Sequence, residues 1–262
     1  MYHPFSIAET LKTAWNILKK NFIPLVVYSA ISLFITEFIK FLNNFIFISD
    51  DKATIFTTFF IQLIVQSFLA LSFYKLVLTL LDKEYYEFEF KEIIPSFKMT
   101  FNFILIAIGY GILIAILLFI NVFIEHNIAE YETVLTIFRI IESCLVLYLL
   151  LRSIFCACFI VDDDSKPIES LKQSFDATKD NFFKTLGMFL VIVAIVVIGV
   201  LLIHIIEDVL DIDEDNSPYL ANLLYYGWVI FAFPVVQVLI IATYRKLVYS
   251  HRDVDDDIAE TN

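Results

Sequence analysis

The chain has 262 residues, 60% of them hydrophobic and only 18% charged, with a mean hydropathy of +0.80. An ordinary soluble domain is about 45–50% apolar and about 25% charged, so this composition argues against a water-soluble fold and makes lipid the solvent. The net charge of −12 speaks against nucleic acid as a partner. The apolar runs are seldom interrupted, since there are only 5 Gly and 6 Pro. That favours helices over a transmembrane barrel, which would show short alternating segments and many turns. The expected fold is all-α: a polytopic membrane bundle of six spans with amphipathic surface helices, in one domain covering residues 1–262.

The N-terminal stretch shows no short apolar run with a small-residue cleavage site, so no cleaved signal peptide is expected. The first element is amphipathic. Ile7, Leu11, Ala14, Trp15, Leu18 and Phe22 recur at spacings of three and four, while Glu9, Lys12, Asn16, Lys19 and Lys20 face away. Ser6 followed by Glu9 has the spacing of a capping box. Such a helix suits the headgroup layer and equally suits packing against the end of a bundle.

Crossing the hydrocarbon core takes about 20 apolar residues, and six stretches qualify. The first covers residues 22–42, with Glu37 and Lys40 near its far end. The second, 54–81, contains Lys75. Ahead of the third, 101–124, lies Ile93–Phe103, whose Ile93, Ile94, Phe97 and Phe101 make a similar apolar face. The third span has no charge. The fourth, 134–161, carries Arg139, Glu142 and Arg152, together with Cys144, Cys156 and Cys158, which read as small apolar fillers. The fifth covers 183–206 and the sixth 219–248. The acidic stretch 251–262 is expected to be a short disordered tail.

A segment repeats. Glu9–Phe22, ETLKTAWNILKKNF, returns as Glu169–Phe182, ESLKQSFDATKDNF, at a constant offset of 160, with six of fourteen positions identical. Each copy precedes an odd-numbered span. Pro167 suits the first turn of the second copy. With Ile93–Phe103 as a third, weaker copy, the plan becomes three units of surface helix plus two-span hairpin.

Lys and Arg set the orientation. Six spans place thirteen of the eighteen on one side and only Lys40 and Lys52 on the other; Lys75, Arg139 and Arg152 lie within spans. The lysine-rich side, with both termini, is therefore expected in the cytoplasm, and the location is the inner membrane.

The opening FSIAETLKTAWNILKKNF, the Arg-containing end of the fourth span, the run IVDDDSKPIESLKQSFDATKDNFFKTLGMFL and the closing TYRKLVY together resemble a family. They look like the YciC-like six-helix membrane proteins of bacteria. They are also similar to the membrane domain found in front of some glycerophosphodiester phosphodiesterases. The resemblance implies a bacterial inner-membrane protein.

Charges in hydrocarbon cost about 2.5–3.5 kcal/mol each on insertion scales, so each needs a reason. Arg139 and Glu142, three apart, are expected to pair on one helix face, as a structural ion pair or as the lining of a cavity. Lys75, Arg152 and Arg245 sit near the cytoplasmic half of the even-numbered spans. They either converge on an anionic headgroup or solute or snorkel separately to the interface. Gln62, Gln66 and Gln237 are candidates for hydrogen bonds between helices, and His204 reads as an interface residue. Asp211, Asp213, Asp215 and Asn216 begin like a calcium loop but lack its later Gly and Glu. No Walker loop, nucleophile elbow, HExxH or Cys/His cluster at ligand spacing occurs, so no catalytic residue, metal or cofactor is expected.

These features lead to a non-catalytic multi-pass protein that binds partners or supports lipid organisation in the envelope; the alternative is a transporter or lipid-handling protein. Expected partners are membrane lipids, other membrane proteins or further copies of the chain. An enzyme reporter that works only in the cytoplasm, fused after Asn262, is expected to be active. Activity from an extracytoplasmic reporter alone would reverse the topology.

Overall fold

The computed structural model describes residues 6–46, 52–82, 89–128, 132–212 and 217–259, and no strand occurs among them. In chain order the helices are α1 (Ile7–Lys20), α2 (Phe22–Ile46), α3 (Lys52–Asp82), α4 (Phe90–Ile93), α5 (Phe97–Ile128), α6 (Glu132–Ser153), α7 (Cys156–Asp162), α8 (Pro167–Lys179), α9 (Phe182–Leu210) and α10 (Pro218–Ala259). Six stretches are long and apolar enough to cross a membrane, and each of the six expected spans falls inside one of them. The fourth is interrupted, between α6 and α7. The α10 backbone remains helical to Ala259, well into the stretch expected to be a disordered tail; residues 260–262 lie outside the described residues.

The chain divides into two compact units, Met1–Pro95 with Asn181–Asn262, and Ser96–Asp180. In the first unit α10 packs on α1, α2, α3 and α9, and α4 lies against α3. Its core gathers at one end. Leu71, Phe73, Leu76 and Val77 of α3 and Val238, Ile241 and Tyr244 of α10 are fully or almost fully buried. Tyr28, Phe73 and Phe233 form an aromatic cluster of inclined, edge-to-face rings, with centroids 5.4 and 4.9 Å apart, and the Tyr28 hydroxyl donates to the Leu69 carbonyl at 3.0 Å. At the other end Ile55, Phe56 and Phe59 of α3 and Leu220 and Leu223 of α10 are exposed.

The second unit repeats this gradient. Every residue of α7 from Cys156 to Val161 is buried, as are Thr100, Asn102, Ile104 and Ile106 of α5. Farther along α5, Ile112, Ile116, Phe119 and Val122 are exposed, as are Val134, Ile137 and Ile140 of α6. Apolar exposure on this scale far exceeds the patches a soluble monomer tolerates. Acyl chains cover such surface at no cost, because they are as apolar as leucine.

Several positions 160 apart, in α1 and α8 and just after them, bury alike. Thr10 and Ser170, Ala14 and Ser174, and Asn21 and Asn181 are all buried. Small side chains at these sites let each helix approach its support closely. Trp15, expected on the apolar face of the first copy, is instead 66% exposed, while Ile17 is buried. The face that packs is Thr10, Ala14, Ile17 and Leu18, and the bulky indole lies beside it.

Gly199 of α9 shows the same logic within a span. A Cβ there would overlap the Trp228 indole of α10, so the two helices meet because the residue is glycine. A Cβ at Gly109 would meet nothing within 4 Å. Gly199→Ala is therefore expected to lower stability by about 1–3 kcal/mol through overpacking, and Gly109→Ala is expected to be nearly neutral. Thermal unfolding of the detergent-solubilised protein compares the two; equal melting temperatures would refute the close contact.

Candidate functional site

Each even-numbered span ends beside a helix that is not itself a span. In the first unit α4 lies on α3 and α1 lies on α10; in the second, α8 lies on α6 and α7. These junctions hold the three cations picked out in the sequence. Lys75 and Arg245 belong to the first unit and Arg152 to the second.

Lys75 of α3 donates its ammonium to the Ile94 carbonyl at 2.9 Å. Ile94 follows the one-turn α4 and precedes Pro95, which lacks an N–H and ends helical geometry. The lysine thus serves as a cap for a carbonyl that has left its helix. Arg245 is half-buried on α10, next to the fully buried Tyr244.

Arg152 closes α6. Its guanidinium lies over the Phe175 ring of α8, 5.1 Å from the centroid, and over Tyr148 at 5.9 Å. A cation on a ring face is worth about 0.5–2 kcal/mol, more as it is desolvated. Its Nε is buried without a hydrogen-bond partner among the described residues. Directly after Arg152 the helix breaks. The Ser174 hydroxyl donates to the Arg152 carbonyl at 2.7 Å and accepts from the Phe155 amide at 3.2 Å. One side chain of α8 thereby serves both a donor and an acceptor at the break. Nearby, the Cys156 thiol donates to the Ser170 carbonyl at 3.6 Å.

Arg139 and Glu142 both find partners on α5 and not each other. Arg139 Nη2 is 3.4 Å from the Glu125 carboxylate, and Glu142 accepts from the Asn121 amide. Asn121 and Glu125 are one turn apart on α5 and offer each residue a cross-helix contact. His204 pairs with Glu207 at 3.0 Å on α9. Gln66 lines a cavity of about 290 Å³ in the first unit with Ser29, Ser32 and Thr36. Asp211 has φ 52° and ends α9; the remainder of the acidic loop, residues 213–216, lies outside the described residues. No group of three or more metal-ligating side chains occurs among the described residues.

A cavity of about 910 Å³ belongs to the second unit. Leu105, Ile106, Gly109 and Leu113 of α5 and Leu149 of α6 form its apolar wall. The first turns of α8 close it, with Lys166 and Lys172 beside Ile168 and Leu171. The Tyr110 hydroxyl, also in the wall, donates to the Leu149 carbonyl at 3.4 Å.

The turn before α8 is held firmly. The Asn102 amide donates to the Ser165 carbonyl at 3.2 Å, and the Ser165 hydroxyl donates to Gln173 at 2.7 Å. Asp164, at φ 51°, pairs with Lys98 at 2.6 Å; that pair is about half exposed and contributes at most about 1 kcal/mol. Aspartate tolerates the left-handed conformation better than most side chains. Glu169 turns back to the Lys166 amide at 3.5 Å, as a residue in the first turn of a helix does.

The sequence offered Lys166 and Lys172 only as markers of orientation. Their meeting with an apolar wall from α5, more than fifty residues earlier, had no local signal. Ser174 stands opposite Ala14 at the 160 offset, and nothing in the sequence marked its role at the break.

Residues 118–250, just over half the chain, match the family described as the membrane domain of glycerophosphoryl diester phosphodiesterase. No curated protein and no solved structure matches the chain.

Ser174→Ala removes both partners of the break at once. It is expected to cost about 1–3 kcal/mol, the penalty of leaving buried backbone groups unpaired. Thr178→Val removes only a hydroxyl that bonds back to the Ser174 carbonyl within its own helix and is expected to cost less. Unfolding midpoints in detergent rank the two, and the reverse order would refute the role given to Ser174.

Proposed function

The chain belongs to the family of the membrane domain of glycerophosphoryl diester phosphodiesterase, and from that premise we propose that it is a non-catalytic multi-pass protein of the bacterial inner membrane that organises membrane lipid. The supporting observation is the placement of α1 and α8. α1 buries Thr10, Ala14, Ile17 and Leu18, α8 buries Ser170, Ser174 and Thr178, and both leave lysines exposed: Lys12, Lys19 and Lys20 on α1, Lys172 and Lys179 on α8. With the lysine-rich side in the cytoplasm, these ammonium groups meet the leaflet face that carries anionic lipid. There each basic residue contributes about 1 kcal/mol of attraction. In this reading Arg152 anchors α8 through its aromatic contacts, and Lys75 holds the chain at Ile94.

The transport alternative has one observation in its favour, the interruption of the fourth span. Discontinuous helices mark many transporter sites, usually near the bilayer midplane. Here the break falls at Ser153–Cys156, close to the end of the stretch Thr133–Asp162, and Ser174 closes it. That position favours a structural role.

Gentle extraction and purification, followed by mass spectrometry of the lipids carried along, tests the proposal. Acidic phospholipids are expected to be enriched over their share of the membrane. A retained lipid mixture identical to the bulk membrane would overturn it.

A further inference from the structure

We infer that the cavity of the second unit is a binding site for one anionic phospholipid, with an acyl chain on the α5–α6 wall and the headgroup phosphate between Lys166 and Lys172. This rests on the lipid-organising reading and assigns it a place. The wall from Leu105 to Leu113 runs for about 12 Å along α5 at 1.5 Å per residue, and Leu149 continues it. Such a surface fits hydrocarbon and gives a water-soluble anion nothing to bind.

The closing edge has the opposite character. Lys166 and Lys172 are exposed, and among the described residues neither ammonium has an ion pair or hydrogen-bond partner. Glu169, the carboxylate of this edge, is turned toward the Lys166 amide. Two lysines against one carboxylate make this edge net positive, and a net positive edge beside an apolar wall complements a molecule that is greasy at one end and anionic at the other. A zwitterionic lipid brings its own cation to this positive edge and complements it less well.

The turn that carries Lys166 is fixed to α5 through Asn102 and Ser165, both buried, so headgroup and chain positions are set by the same helix. Gly109 opens the wall: a Cβ placed there meets nothing within 4 Å, and a larger side chain would extend into the space assigned to the chain.

Native mass spectrometry of the full chain in detergent micelles, offered equal amounts of phosphatidylglycerol and phosphatidylcholine, tests the site. The wild type is expected to retain phosphatidylglycerol preferentially. Lys166→Gln and Lys172→Gln are each expected to weaken that retention about fivefold. Gly109→Trp is expected to weaken both lipids while the protein stays monodisperse. Free glycerol phosphate is expected not to displace the lipid. Wild-type retention by the double lysine variant and by Gly109→Trp would overturn the site and leave the lipid-organising reading standing. Loss of the phosphatidylglycerol preference in the wild type itself would overturn that reading as well. Displacement by glycerol phosphate alone would refute the acyl-chain half of the inference.

Discussion

Where a helix stops inside or at the edge of hydrocarbon, its last carbonyls and the next free amides have no water to turn to, and each unsatisfied group costs several kcal/mol. Side chains meet this demand at several places among the described residues. Lys75 takes the Ile94 carbonyl. Ser174 takes both the Arg152 carbonyl and the Phe155 amide. The Asn102 amide takes the Ser165 carbonyl. In each case the partner comes from a different helix, so satisfying the backbone also fixes how two elements meet. The short helices beside the spans hold their places by these bonds as well as by greasy contact.

The gradient of packing follows from the same constraint. Between spans surrounded by lipid there is little hydrophobic drive to associate, because burying leucine against leucine gains nothing over burying it against acyl chains. Dense packing has to come from elements that water would otherwise reach. In both units the fully buried residues cluster where a short helix packs beside the span ends, and the opposite ends are exposed. Gly199 against Trp228 is an exception within a span, and it uses the membrane device of a small residue that admits a close neighbour.

The spans were legible because length and hydropathy are summed over many residues and tolerate single errors. The starts of α1 and α8 were legible from periodicity and from Pro167. Side-chain pairing was less so. Arg139 and Glu142 stand three apart and suggest each other, but Asn121 and Glu125 of α5, invisible to a same-helix rule, compete and prevail. The break after Ser153 carries no Gly or Pro and so gives no local warning; Ser174, more than twenty residues later, makes it tolerable. The lysines of the cavity were counted correctly for charge, while their apolar neighbours come from another helix and were not visible from sequence.

The 160-residue offset adds a comparison between two junctions. Ser174 corresponds to Ala14, and both are fully buried against the end of an even-numbered span. Opposite Ser174 the span is broken; α10, on which Ala14's helix packs, runs on through the same region without interruption. An alanine has no hydroxyl to offer a freed carbonyl and amide, so a break facing Ala14 would leave both unpaired in a dry site. The hydroxyl and the break therefore go together, as do the methyl and the continuous helix. The one added oxygen at the equivalent place is what lets this junction satisfy an interrupted span, and the second unit, which has the interruption, also carries the cavity of about 910 Å³ at the start of α8.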